Sequence, residues 1–315
     1  MLVLSRRNSP SLERSAPSAV RLEHGEDGRR EGAGAGADFR PGLFETCANP
    51  GCRSGWLHLW RSRSVPVFEG SWTCSSDCTA ARLRGAIYRE LDGRGTIARE
   101  GHRHRIPLGL LMLEQGWITR AQLRKALDAQ RAASSGRLGE WLVQQHAVDE
   151  PRVTRALGLQ WSCPVLPLEA ADAGSLTAVM PRLFVDAFSA LPLRLAAGRV
   201  LYLGFEESLD PVLAHALGRM TGIRVECGIV QASLFRPAHT AMLIAKFPPV
   251  ELIEAASGAA AAHALARSVE RSRPIASRLV RVHDCLWLRM WLRPQHGPLP
   301  ETQAVEDVIC SIVAI

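Results

Sequence analysis

A chain of 315 residues has room for two or three domains, and 47% hydrophobic with 22% charged residues is the composition of a soluble globular protein. A formal net charge of +7 permits an anionic partner without demanding one, and no run of about 18 uninterrupted apolar residues marks a membrane span. The opening MLVLSRRNSP lacks the apolar stretch and cleavage site of a signal peptide, and eight cysteines, four of them clustered, fit metal binding in a reducing compartment better than a disulfide framework. The expected location is therefore cytoplasmic, and the expected fold class is α+β.

Residues 1–40 are rich in Ser, Arg, Gly and Glu and include the run EGAGAGAD, too polar to offset the entropy of ordering, so a disordered tail is expected. The next segment, 44–91, carries the strongest local signal. Cys47 and Cys52 bracket ANPG, and after 21 residues Cys74 and Cys78 bracket SSD. Between the pairs, WLHLWRSRSVPVFEGSW has the alternation of a β-hairpin, with Trp56, Leu57, Leu59 and Trp60 expected to be partly buried; TAARLRGAIYREL then follows as a helix. Knuckle, hairpin and a cysteine pair at a helix start resemble a treble-clef zinc finger, which implies a closed, four-coordinate structural Zn2+ site on Cys47, Cys52, Cys74 and Cys78. A helix N-terminus also stabilises thiolate. The pair spacings of four and three residues are wider than the commonest two. His58 lies within the hairpin and is expected on the surface. Arg53, Arg61, Arg63, Arg82 and Arg84, with Trp56, Trp60 and Trp72, make a basic and aromatic set that suits nucleic acid, although solvated arginines around a structural metal are the commoner outcome.

After a polar linker (His102 and His104 alternate there with Arg103 and Arg105), residues 105–160 form a repeat. Leu108-Gly109 aligns with Leu138-Gly139, Leu111 with Trp141, Met112 with Leu142, Ile118 with Val148, Leu123 with Val153, Ala126-Leu127 with Ala156-Leu157 and Gln130 with Gln160, all 30 positions apart. Such self-similarity means one supersecondary unit used twice. Each unit is expected to be a helical hairpin, because 108, 111 and 112 share a helix face. Gly116 supplies the helix stop, and Thr119 with Gln122 makes a capping box. In the second unit Asp149 caps the last helix, Pro151 sits in its first turn, and His146 stands where the first unit has Gly116. The plainest reading is a four-helix bundle whose repeat only builds a core. A sharper one starts from the Leu-Gly pair at each helix start, where exposed N–H groups attract phosphate, and from Arg137, which can pair with phosphate or with a guanine edge.

Residues 161–246 are expected to form a small α+β subdomain. VLPLEA, RVLYLGF and IRVECGIV read as strands, and Asp210-Pro211 starts the helix VLAHALGRMTG. Cys163 and Cys227 are isolated and read as ordinary buried thiols. Residues 247–315 are expected to be an Ala-rich helix over about 251–273, then RLVRVHDCLWLRMWLRP as a bent strand or hairpin around His283-Asp284, then AVEDVICSIVAI as a closing strand. No role follows from these segments.

The runs PLGLLMLEQGWITRAQLRKALDAQ and RLGEWLVQQHAVDEPRVTRALGLQ, joined by a short spacer, resemble the N-terminal domain of type II secretion and type IV pilus assembly ATPases, of the MshE type. WSCPVLPLEAADAG and MPRLFVDAFSALPLRLAAGRVLYLGFEESLDPVLAHALGRMTGIRVECGIV are similar to the second part of the same domain, so the resemblance covers roughly 105–245. In many members of that family each motif holds half of one cyclic di-GMP. The resemblance therefore implies a nucleotide site on Arg105, Leu108, Gly109 and Gln130 of the first unit and Arg137, Leu138, Gly139 and Gln160 of the second. Two departures stand out. The family motif opens Arg-Leu-Gly, whereas unit one has Pro107-Leu108-Gly109 with Arg105 two positions early, and unit two has His146 where the motif often keeps Gly.

No G-x-x-x-x-G-K-[ST] phosphate loop, G-x-S-x-G or H-E-x-x-H motif occurs, so no enzyme activity is expected. The leading expectation is a bacterial accessory or signalling protein of secretion or pilus type, with structural zinc, cyclic di-GMP as ligand and a protein partner in that machinery. Two alternatives stay open: an interaction adaptor whose repeat no longer binds nucleotide, and a zinc-dependent nucleic-acid binder.

Overall fold

The structure, a computed structural model, describes residues 47–53, 65–92, 105–168 and 176–313, all within one compact unit. The expected tail, residues 56–60 of the first hairpin, Arg61 and Arg63, and His102 and His104 lie outside the described residues. Among the described residues the fold is mixed α+β, with three small sheets.

The cysteine-bearing segment begins as a tight turn. The Cys52 amide donates to the Asn49 carbonyl at 3.0 Å, with Pro50 and Gly51 in the corner, and the Asn49 side chain accepts from the Gly51 amide. A short hairpin follows, β1 (Val67–Phe68) and β2 (Ser71–Trp72). It turns through Glu69 and Gly70, both at positive φ, as a two-residue hairpin demands. Helix α1 (Ser76–Asp92) comes next, its start fixed by Ser75, whose hydroxyl accepts from the Cys78 amide.

The repeat becomes four helices: α2 (Leu108–Glu114), α3 (Arg120–Ala133), α4 (Leu138–Gln144) and α5 (Glu150–Trp161). Its helix ends repeat as faithfully as its core. The Trp117 amide reaches the Met112 carbonyl and the Ala147 amide reaches that of Leu142, each at 3.0 Å, so both short helices close in the same six-to-one loop. Gly116 takes φ 67° there, and His146 accepts φ 53° in the second copy. Thr119 and Gln122 exchange both capping bonds, and Asp149 caps α5 at the Arg152 amide. Met112 and Leu142, and Ala126 and Ala156, are fully buried pairs in one core with Ile118, Val148 and Val153.

The α+β part comprises α6 (Arg182–Ala187), β3 (Ala190–Ala196), β4 (Val200–Phe205), α7 (Pro211–Thr221), β5 (Arg224–Ile229) and α8 (Ala232–Leu243). The sheet runs β3-β4-β5, antiparallel then parallel, and Asp210 caps α7 as expected. Of VLPLEA, the described residues 165–168 form no strand. Only Val165 bridges to β5, because Pro164 and Pro167 flank it and neither offers an N–H to a ladder.

The C-terminal part departs most from expectation. Residues 250–255 are a strand, β6 (Val250–Ala255), and helix α9 (Gly258–Ser272) starts only after the Ser257 cap. VELIEA is a parallel partner of β9 (Val305–Ile312), and that pairing overrides the helical leaning of the Ala-rich run after it. The hairpin β7 (Ala276–Val282) and β8 (Cys285–Trp291) turns at His283-Asp284. The last strand does not close the sheet at an edge. The order is β6-β9-β8-β7, which places β9 inside.

This sheet separates the two larger cores. From β8, Trp287 and Trp291 face the α+β part, while Leu286, Leu288 and Met290 face α9 and α1. The cysteine segment thus shares its core with residues 255–310: Phe68, Leu83 and Ile87 pack with Leu265, Val269 and Val308. The Val67 amide donates to Pro274 and the Glu69 amide to Ser277, so β1 covers the β7 edge. Glu90 of α1 takes both Arg219 guanidinium nitrogens and the Arg281 amide. The two larger cores divide across the sheet.

The glycine of each Leu-Gly pair leaves no room for a side chain. A Cβ on Gly139 would stand 2.7 Å from Val153 Cγ1, and one on Gly109 would stand 2.7 Å from Leu123 Cδ1, the equivalent pair 30 positions earlier. Gly139→Ala is expected to cost about 1–2 kcal/mol, overpacking partly offset by better helix propensity. Gly109→Ala should cost less, since the end of Leu123 yields more easily than branched Val153. Urea midpoints measure both; an unchanged Gly139→Ala midpoint would mean that the two helices slide apart without penalty.

Candidate nucleotide and metal sites

The four cysteines meet at one point. The sulfurs of Cys47, Cys52, Cys74 and Cys78 all lie within 4.8 Å of one another, with Cys52 to Cys74 at 3.5 Å and Cys74 to Cys78 at 3.6 Å. None is disulfide-bonded. A tetrahedral cation with sulfurs at about 2.3 Å sets the sulfurs roughly 3.8 Å apart, so the cluster has the size of a four-thiolate cage. The turn brings in Cys47 and Cys52, the residues after β2 bring in Cys74, and the first turn of α1 brings in Cys78. Asn49 adds an outer contact, its amide donating to Cys78 Sγ at 3.3 Å. Burial first, and then the neighbouring thiols, push Cys74 up to about 12, and burial raises Cys47 as well. Such a set is strained toward protonation unless a cation neutralises it. Of the basic and aromatic set, Trp72 is core, while Arg84 on α1 meets His263 at 3.3 Å.

Cys163 and Cys227 are half-buried, and burial raises both thiols, Cys227 to about 12. The expectation of ordinary buried thiols is thus met only in part, since neither is fully buried.

The second site is a cleft of about 440 Å³ between the bundle and the α+β part. Of the eight nucleotide candidates, Leu108, Arg137, Leu138 and Gly139 line it; Arg105, Gly109, Gln130 and Gln160 do not. The two glutamines do matched structural work. Gln130 Nε2 donates to the Gly136 carbonyl at 3.0 Å, and Gln160 Nε2 donates to the Ile106 carbonyl at 2.7 Å. Donors and acceptors are each 30 residues apart, so each unit fastens the entrance of the other and the repeat closes as a pseudo-two-fold ring. Arg105 sits elsewhere, its guanidinium 3.2 Å from the centre of the Trp161 ring. The Leu-Gly glycines are buried and have the packing reason given above.

Charge decides the character of the cleft. Arg137 pairs with Glu207 and, at 3.6 Å, with Glu206, both just past β4. Arg236 of α8 spans Glu206, at 2.7 Å, and Glu140 of α4. Glu140 also accepts from the Arg137 amide at 3.1 Å. The Arg236 hydrogen bond holds Glu140 below the usual carboxylate range, and Glu206 raises Arg236 further. Burial pushes Glu207 up against the pull of Arg137. Glu150, at the first turn of α5, accepts from the Ser233 amide at 2.7 Å and from Gln231 Nε2 at 2.9 Å. Burial is its largest single influence and opposes ionisation, but these donors together keep it lowered. The carboxylates Glu150, Glu206 and Glu207 and Arg236 were not recognised from sequence; Glu140 alone had a local signal, standing three residues after Arg137 at a helix start.

No protein-family model matches the chain. It is 33% identical over 132 residues to bacteriophage adsorption protein B of Escherichia coli strain K12, and equally to bacteriophage N4 adsorption protein B of Escherichia coli O157:H7. The match takes in 39% of this chain and spans only 16% of the length of those relatives. Among solved structures, that of MshE with cdg is 25% identical, covering 44% of this chain and 99% of that one with a TM-score of 0.36. The N-terminal domain of XpsE is 17% identical over 42% of this chain and 91% of that one, with a TM-score of 0.29.

Proposed function

We propose that this chain is a non-catalytic signalling or accessory module in which the duplicated hairpin binds cyclic di-GMP and a four-cysteine zinc centre braces the remainder. The observation that carries the reading is the closed pseudo-two-fold repeat: the 30-residue register extends from core residues to caps and to the Gln130 and Gln160 bonds. A ligand that is itself two-fold fits a site built twice. The match to a small segment of much longer relatives also suits a module carried by larger proteins.

Unit two is the stronger half, because it alone keeps Arg137-Leu138-Gly139. Calorimetry with cyclic di-GMP on the full chain tests the reading. Arg137→Ala removes a charge-assisted contact worth about 1.5–3 kcal/mol, a roughly tenfold to hundredfold loss of affinity. Arg105→Ala should cost less, since Pro107 holds the motif position and Arg105 rests on Trp161. Pro107→Arg should tighten binding. No binding by wild type, with no gain from Pro107→Arg, would sink the nucleotide reading.

A second reading, a docking adaptor without nucleotide, is favoured by one observation. The cleft beside Arg137 carries four carboxylates against two guanidinium groups. In that reading the same surface holds a protein partner of the secretion or pilus machinery.

A further inference from the structure

We propose that the ion pairs across the cleft form a latch that cyclic di-GMP must open, so that binding at unit two loosens the bundle from the α+β part. The inference rests on the nucleotide reading above and concerns how that site is regulated. Two features of the seam carry it.

The first is its alternation. An arginine of the bundle, Arg137, reaches over to Glu206 and Glu207, and an arginine of the α+β part, Arg236, reaches back to Glu140. Glu206 belongs to both links, at 3.6 Å from Arg137 and 2.7 Å from Arg236. Beside them, Glu150 of the bundle sits on the Ser233 amide at the start of α8, whose preceding residue gives no side-chain cap. A bundle carboxylate thus occupies the place an anion would take at that helix end.

The second is the charge balance. A dianion meets a net negative wall while the latch is shut, and the guanidinium it needs is already shared between two carboxylates. Arg137 is nonetheless 56% exposed on its side chain, so a phosphate can reach it from outside the seam. Taking it strips Glu207 of its partner and leaves Glu206 and Glu140 to share Arg236 alone, so three carboxylates then face one guanidinium. Closed protein is in this way the weaker binder, and apparent affinity scales with the fraction that is open.

The test uses the full chain and three proteins: wild type, Glu206→Gln with Glu207→Gln, and Glu226→Gln. Glu226 lies on β5, pairs with Arg224 of the same strand and does not line the cleft, so it controls for overall charge. Calorimetry should find the double variant binding cyclic di-GMP about tenfold more tightly than wild type, with Glu226→Gln near wild type. Hydrogen exchange on wild type should show the Ser233 amide speeding up when cyclic di-GMP is added, which a rigid site would not produce. Wild-type affinity in the double variant, with Ser233 exchange unchanged, overturns the latch and leaves the nucleotide reading standing. No heat from any of the three proteins overturns both. Should the double variant prove unstable, Glu207→Gln alone must still tighten binding, and the wild-type exchange result decides independently.

Discussion

Replacing Arg289 with alanine is expected to lower the unfolding free energy by about 3–5 kcal/mol, because it leaves a carboxylate buried without its counter-charge. Arg289 on β8 and Asp307 on β9 stand opposite in the ladder, and their side chains are 1% and 0% exposed. The guanidinium gives Nε and Nη2 to the two Asp307 oxygens at 2.8 and 2.7 Å. Its Nη1 gives two further bonds, to the carbonyls of Ala178 and Val179. Trp287 Nε1 adds a third donor to Asp307. The pair thereby pins the segment before α6 onto the central sheet. The substitution removes the guanidinium from two carbonyls as well as from the charge, while among the described residues Trp287 stays with Asp307. Arg289→Met combined with Asp307→Leu removes the charge as well and should recover part of the loss. Urea midpoints of the two variants measure the difference. A loss below about 1 kcal/mol for Arg289→Ala, the scale of an ordinary surface change, would mean that water reaches Asp307 and that the pair is not a fastening.

How much of this was legible beforehand follows from the range of each interaction. The bundle was readable because its signals are local and doubled: apolar register, the Thr119–Gln122 box and the Asp149 cap all act within a turn or two of helix. The cysteine cluster was readable from two close pairs around a hairpin. The latch was not, since Arg137 and Glu207, or Arg236 and Glu140, are far apart in sequence and no period links them. The same holds for Arg289 and Asp307, which lie in strands whose alternation predicts burial but gives no sign of a buried charge. Residues 250–255 differ from the expected helix for another reason. VELIEA precedes an alanine run with strong helix propensity, and only pairing with β9, more than 50 residues later, makes it a strand. The docking of α1 on α9 needs the assembled sheet and has no signature in either helix alone.

Zinc binding at Cys47, Cys52, Cys74 and Cys78 is expected at one ion per chain, and its removal should be felt beyond the cysteines. Free zinc at about a thousand times its dissociation constant adds roughly 4 kcal/mol by mass action, which for a domain of this size corresponds to on the order of 10 °C in Tm. Stripping the metal should melt the turn at residues 47–52, two of whose residues are themselves ligands. Helix α1 should persist, because Leu83, Ala86 and Ile87 are buried against α9 and the central sheet whether or not metal is present. This distinguishes the site from a free-standing finger, which unfolds whole. Binding also has a defined pH sense. Cys74, pushed up to about 12 by burial and then by its neighbouring thiols, carries its proton in metal-free protein, so uptake releases protons and affinity falls as pH falls. Metal analysis, melting with and without a chelator, and hydrogen exchange across 47–92 are the measurements. Zinc retained by Cys74→Ser with Cys78→Ser would place the ion elsewhere. Loss of α1 together with the turn would show that the metal, and not the shared core, holds the helix to the sheet.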